Sequence, residues 1–161
     1  MVYSIKKDVI LGAPIDGRVA LLAESPDDIF AQEGVGAGVT IFPKGNVVVA
    51  PADGKVLFVF PSKHAIGLET TDGIEILIHI GIGTYKLKGE GFTLFVKEGD
   101  LIERGQKLIE FDKELLKEKI FSDATPMVFT NVNKENISVL KGGEVDINED
   151  IIKITKGKVT E

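Results

Sequence analysis

The stretch from His64 to Ile80 restricts the fold more tightly than any other, because it reads as two alternating runs on either side of an Asp72-Gly73 pair. Asp-Gly between such runs is the strongest short-range signal for a β-hairpin, since both residues tolerate the backbone of a tight turn. A turn closed by Thr71 and Ile74 predicts that His79 lies opposite Ile66 and His64 opposite Gly81. The two histidines then share one face as diagonal cross-strand neighbours, roughly 7 Å apart at the backbone. A one-residue slip of the turn is expected to leave them on that face. Ile66, Leu68 and Leu77 are expected beside the histidines. Ile74, Ile76, Ile78 and Ile80, with Ala65 and Gly67, are assigned to the core, where alternating β-branched residues pack well.

The rest of the chain has the same texture. Eighteen glycines separate short Val, Ile and Phe runs, which predicts an all-β fold: an antiparallel β-sandwich of the duplicated barrel-sandwich hybrid type. Ala13-Pro-Ile-Asp-Gly-Arg-Val19 returns as Ala50-Pro-Ala-Asp-Gly-Lys-Val56, so two similar supersecondary units are expected to pack together. Helix is confined to two short segments. One follows Ser25, with Ser25 as cap, Pro26 at the first helical position and Phe30 facing inward. The other follows Asp112, whose carboxylate caps Lys113 to Ile120. At 161 residues the chain is read as a single domain, 1–161.

Composition removes several function classes. A formal net charge of −6 leaves no basic stripe for nucleic acid. The longest apolar runs, such as Val56 to Phe60, fall far short of the roughly 18 residues of a membrane helix, and the N-terminus lacks a signal-peptide pattern. With no cysteine there is no disulfide framework, which is compatible with a cytoplasmic protein.

His64 and His79 are the only histidines in the chain, so their meeting on one apolar face points to chemistry. Two imidazoles fill only half a tetrahedral zinc shell, and Glu75 lies roughly 13 Å along the strand from His79 at ~3.3 Å per residue. No metal and no cofactor is expected. A neutral imidazole is a nucleophile, and a neighbour donating a hydrogen bond stabilises negative charge on a group transferred to it. The pair therefore suits phosphoryl carriage. Ser62, two residues before His64, could orient that ring through its hydroxyl or be an ordinary strand-edge serine. A zinc peptidase lacks a third ligand here, and a swinging-arm carrier lacks its methionine-flanked lysine.

Phe60-Pro-Ser-Lys-His-Ala-Ile-Gly67, Glu75-Ile-Leu-Ile-His-Ile-Gly81, Leu87-Lys-Gly-Glu-Gly-Phe92, Val96 to Asp112 and Thr125-Pro-Met-Val-Phe-Thr-Asn131 closely resemble the glucose-family enzyme IIA domain of the bacterial phosphoenolpyruvate-dependent sugar phosphotransferase system. The resemblance implies a phosphotransferase component. It would accept phosphate from the histidine-containing phosphocarrier protein and pass it to the IIB domain of a sugar permease. It implies His79 as the phosphorylated residue, His64 as its supporting neighbour, and Ser62 where the family usually has a threonine bonded to that second histidine. It also implies an apolar docking rim at Val39, Ile41, Phe60, Ile66 and Leu77. Ala37 and Gly83 stand where the family usually has aspartates, which should slow partner association more than it alters chemistry at His79. A regulatory or binding module using the same patch, with weakened or lost phosphoryl transfer, is the alternative.

Overall fold

Glycine and proline punctuation cuts the chain into short strands. A computed structural model describes residues 2–160, and Met1 and Glu161 lie outside the described residues. In chain order the strands are β1 (Val2–Ile5), β2 (Val9–Gly12), β3 (Gly17–Leu21), β4 (Ala37–Pro43), β5 (Val47–Val49), β6 (Gly54–Val59), β7 (Ala65–Thr70) and β8 (Glu75–His79). There follow β9 (Phe92–Leu94), β10 (Leu101–Ile102), β11 (Lys107–Phe111), β12 (Thr125–Phe129), β13 (Ile137–Val139), β14 (Gly143–Val145), β15 (Asp150–Ile154) and β16 (Gly157–Thr160). Helices α1 (Asp28–Ala31) and α2 (Lys113–Lys119) are short. No helix among the described residues is long and apolar enough to cross a membrane.

The ladders are antiparallel, as the alternating runs require. The largest sheet has the order β10-β6-β7-β8-β12-β4-β3-β14, beside the three-stranded sheets β5-β11-β9 and β13-β15-β2 and the pair β1-β16. Ile41, Ile66, Leu68, Ile76 and Ile78 of the large sheet join Leu11, Leu108, Ile109, Phe111, Ile152 and Ile154 of the two smaller sheets in one buried cluster. This is the sandwich interior, and burying these side chains is the main favourable term in folding.

The internal repeat is a true symmetry of the hydrogen bonding. Gly12 N donates to Pro51 O at 2.9 Å while Val49 N donates to Pro14 O at 2.8 Å, so equivalent positions of the two repeats exchange equivalent bonds. The repeated aspartates do more than turn the chain. Asp53 Oδ1 accepts from Arg104 N at 2.8 Å, and Asp16 Oδ1 accepts from Ile147 N. Each Asp-Gly thus ties its own strand start to a distant loop.

Two expectations about local structure need correction. Ser25 does not cap α1: its amide closes the preceding 3-10 turn onto Leu22 O at 3.0 Å, and Asp27 caps instead, accepting from Ile29 N at 2.9 Å and Phe30 N at 3.2 Å. Asp112 caps α2 through Leu115 N at 3.1 Å, as the sequence indicates.

The second correction concerns the histidine hairpin. Its turn holds three residues, Thr71 to Gly73, because Gly73 N bonds Thr70 O at 2.9 Å and Gly73 then takes a left-handed backbone with φ 91°. Thr70 and Ile74 close the loop, and the register moves by one residue: His79 lies opposite Ala65 and Ile78 opposite Ile66. Side chains alternate with a period of two, so a one-residue slip reverses faces, contrary to the expectation above. Ile66 and Leu68 therefore join Ile76 and Ile78 in the core, while Ala65 and Gly67 lie on the outer face with Leu77 and His79.

Asn131 pins this register. It is 1% exposed, accepts from Glu75 N at 2.9 Å and donates to Gly73 O at 2.9 Å, clamping both sides of the turn. Asn131→Ala leaves those two main-chain groups without this partner. It is expected to lower unfolding free energy by about 1–3 kcal/mol in denaturant titration and to accelerate hydrogen exchange at the Glu75 amide. An unchanged midpoint would show that the turn holds its register without the clamp.

Candidate functional site

With the register shifted, strict alternation would send the His64 side chain inward, away from His79. The chain avoids this because His64 precedes β7 as the last residue of a four-residue loop, Pro61 to His64, between Phe60 and Ala65. Phe60 N bonds Ala65 O at 3.0 Å, Lys63 N bonds Phe60 O at 2.8 Å, and Lys63 adopts a left-handed backbone with φ 61°. That step breaks the pleat one residue before the strand begins. The His64 main chain still joins the ladder, accepting from Ile80 N at 2.7 Å. Its ring instead meets His79, with centroids 4.8 Å apart and planes at 80°.

The two imidazoles form the middle of a row of rings. Phe58 stacks on Phe60 at 5.6 Å, Phe60 meets the His64 ring edge-on at 5.6 Å, and His79 also meets Phe30, with ring centroids 5.2 Å apart. Gly67 makes room for this row, since a Cβ there would come within 2.3 Å of the Phe58 ring. Phe30 belongs to an outer apolar cluster with Leu22 and Val128, against which Val35, Leu77 and Ile82 pack. The inward orientation expected of Phe30 holds, and its contact with His79 carries no signal in the sequence.

Hydrogen bonding and burial define the chemical state of the pair. His79 Nδ1 lies 2.8 Å from Gly81 O, a contact that only a protonated Nδ1 can make, so the Nε2 lone pair is left free. Burial, and next the neighbouring His64, push the His79 pKa down from 6.5 to about 4, against the opposing pull of the Gly81 carbonyl and Asp27. Burial likewise holds His64 below the ordinary histidine range, with the Ser62 main chain opposing. Both rings are neutral at pH 7. His64 is 4% exposed and its Nδ1 has no hydrogen-bond partner, a cost of the kind that collects at functional sites.

The other residues singled out from sequence divide. Phe60, at 36% exposed, and the half-buried Leu77 lie on the histidine face, as expected. Val39, Ile41 and Ile66 do not: at 2%, 0% and 0% exposed they are part of the sandwich interior and offer no surface to a partner. For Ile66 the cause is the one-residue register shift. For Val39 and Ile41 it is their position on the core face of β4, where they pair with Met127 and Thr125 of β12. Ser62 approaches His64 through its main chain, and its hydroxyl makes no hydrogen bond to the ring. Ala37 lies at the start of β4, and a Cβ at Gly83 would meet nothing closer than 3.9 Å. Among the described residues no group of three His, Cys, Asp or Glu side chains is arranged to hold a metal.

The arrangement has a measurable signature. The unfolded chain takes up protons on both histidines near 6.5, whereas the folded chain holds His79 neutral until about 4. Folding stability is therefore greatest above about 6.5 and falls as the pH drops toward about 4, by about 2–3 kcal/mol for His79 alone. His79→Gln should flatten this part of the stability profile, and imidazole NMR should show no His79 protonation between pH 7 and 5. A normal titration near 6.5 would contradict the neutral state of His79 described above.

Known proteins bear directly on this geometry. Residues 9–135 match the model of the phosphoenolpyruvate-dependent sugar phosphotransferase system family EIIA 1. The chain is 43% identical over 147 residues to the PTS system glucose-specific EIIA component of Halalkalibacterium halodurans, covering 88% of this chain and 85% of that protein. It is 47% identical over 145 residues to the PTS system glucose-specific EIICBA component of Staphylococcus carnosus, covering 90% of this chain but only 22% of that longer protein. The glucose permease IIA structure from Mycoplasma capricolum is similar with a TM-score of 0.87 at 36% identity, over 92% of this chain and 96% of that one.

Proposed function

Because this chain belongs to the EIIA 1 family of the phosphoenolpyruvate-dependent sugar phosphotransferase system, whose members are phosphoryl-transferring components of sugar uptake, we propose that His79 carries the phosphoryl group. The observation that supports this most strongly is the free Nε2 of a neutral, carbonyl-anchored imidazole set edge-on to a second imidazole. The donor is the phosphohistidine of the histidine-containing phosphocarrier protein. His79 Nε2 attacks the phosphorus, the N–P bond to the donor breaks, and the donor imidazole leaves with its electron pair. The Nδ1 proton stays on His79, held by Gly81 O. The ring therefore becomes cationic as the anionic phosphoryl arrives, and it leaves again as a neutral imidazole in the next transfer. His64 N–H donates to a phosphoryl oxygen and offsets part of its charge. The ring row and the outer apolar cluster keep water from the N–P bond.

Onward transfer goes to the IIB domain of a sugar permease. The Staphylococcus carnosus relative is by its name an EIICBA protein, and a glucose-type sugar fits the names of the relatives. A cytoplasmic location fits a domain that exchanges phosphoryl groups with these partners. Docking rests on Phe60, Leu77 and the neighbouring apolar side chains. With Ala37 and Gly83 in place of the family's rim aspartates, transfer rates should change by less than about twofold between low and high salt, since exposed charge pairs are the screened component.

Incubation with phosphoenolpyruvate and the general phosphotransferase proteins should add one phosphate, located on His79 by mass spectrometry and abolished in His79→Gln. Uptake of label by that variant would remove His79 from the role. His64→Gln should still be phosphorylated but pass the group on about 10²-fold more slowly. Equal onward rates would leave His64 without a function in transfer.

A further inference from the structure

Both histidines are bonded by one short segment, Ile80 to Thr84, that follows β8. Ile80 N donates to His64 O at 2.7 Å, and Gly81 O accepts from His79 Nδ1 at 2.8 Å. Which nitrogen of His79 keeps its lone pair therefore depends on where a single carbonyl points. That carbonyl belongs to a glycine with a left-handed backbone, φ 73°, a conformation that glycine enters and leaves at little cost. Something other than Gly81 has to hold it in place.

The peptide units on either side of the Gly81 Cα are each pinned. The unit after it joins Gly81 C=O to Ile82 N–H, and in a trans peptide these point in opposite directions. Ile82 N donates to Ser122 O at 2.7 Å, in a bridge to the segment between α2 and β12, so Gly81 O is aimed away from Ser122 and at His79. The unit before it is held by Thr84, whose hydroxyl donates to Ile80 O at 2.8 Å. The Thr84 side chain also closes the space beside Gly81: a Cβ added there would come within 2.8 Å of Thr84 Cγ2, 2.9 Å of Ile120 Cδ1 and 3.0 Å of Ser122 O. Thr84 is 0% exposed and begins a 3-10 turn, Thr84–Leu87, whose Leu87 packs into the core. A hydroxyl so deeply buried carries a desolvation cost that valine, of nearly the same shape, would not. What the hydroxyl gains is the bond to Ile80 O.

We propose that Thr84 is a positioning residue for phosphoryl transfer: with Ile82 held by Ser122, its hydroxyl locks the Ile80–Gly81 peptide, so that the Gly81 carbonyl stays on His79 Nδ1 and the nucleophilic lone pair stays on Nε2. This rests on His79 being the phosphoryl carrier. No covalent bond to Thr84 forms or breaks. A Gly81 carbonyl free to turn away would let the ring proton move to Nε2, where it occupies the lone pair that attacks phosphorus. Burial keeps His79 neutral but does not choose between its two neutral forms. Once the phosphoryl group has arrived, the same lock keeps the Nδ1 proton of the cationic ring on Gly81 O. One hydroxyl thus serves both the charging and the discharge of the site.

Two variants separate the bond from the packing. Thr84→Val keeps the shape and removes the donor, whereas Thr84→Ser keeps the donor and removes the methyl group. The His79 tautomer is read from 15N imidazole shifts at pH 7 without any phosphoryl donor, and initial phosphorylation rates are measured against phosphocarrier concentration. The parent is expected to show one tautomer, with Nδ1 protonated. Thr84→Val is expected to place part of the proton on Nε2. Its maximal phosphorylation rate should fall roughly three- to tenfold, the scale of one lost buried hydrogen bond, at an unchanged half-saturating phosphocarrier concentration. Thr84→Ser is expected to restore the parent tautomer and most of the rate. If Thr84→Val does not fold, Thr84→Ala, which sets no new atom against Ile80 O, takes its place with the same expected shift. A parent-like tautomer in the hydroxyl-free variant, or an equal loss in Thr84→Ser, would make Thr84 a packing contact only and overturn the proposal. If the parent itself takes up no phosphate, the function proposed for His79 fails, while the donor-free spectra still decide whether Thr84 sets the tautomer.

Discussion

The register of the β7–β8 hairpin is the constraint from which the rest of the site follows. A three-residue turn, clamped by Asn131 on both sides, decides that Ile66, Leu68, Ile76 and Ile78 point into the sandwich and that Ala65 and Gly67 point out. Only with small residues outward is there room for Phe58 to lie on the sheet and begin the row of rings that ends at Phe30. One residue of slip would bury the histidine face and expose the isoleucines. The core and the site are thus two consequences of one turn.

Within that frame the histidines are brought together by a departure from regular structure. Lys63, a residue with a Cβ in a left-handed backbone, bears a local conformational cost of about 1 kcal/mol or more. It is held there by the Phe60–Ala65 and Lys63–Phe60 bonds that close the loop. The result is a T-shaped imidazole pair, one ring anchored to Gly81 O and the other with an unpaired buried nitrogen. Burial keeps both rings neutral, which leaves a nucleophilic lone pair at physiological pH without a general base.

Much of this was legible in the chain. The all-β class, the duplicated Pro-x-Asp-Gly units, the Asp112 cap and the hairpin follow from residues and spacing, and the motifs resemble the enzyme IIA family, to which the family match and the relatives assign the chain. The docking rim was legible only in part: Phe60 and Leu77 lie on the histidine face, but Val39, Ile41 and Ile66 are interior. A motif match carries a residue's identity across and says nothing of which way it points. Phe30 carried no signal of its contact with the site, because the link from α1 to His79 spans some fifty residues of sequence and exists only in the packed sheet.

By itself the sequence determined that an Asp-Gly hairpin would carry the only two histidines of the chain at its open end, because turn chemistry and strand runs are local properties, but the alternation that was to put them on one face fails in the observed register. It could not decide the length of that turn, since Asp-Gly serves two-residue and three-residue loops alike and the choice depends on Asn131, a residue distant in sequence. Nor could it show that His64 leaves the pleat at Lys63 to rejoin the face that the register had taken from it. Those outcomes depend on which surfaces are already filled, and only the assembled sandwich settles that.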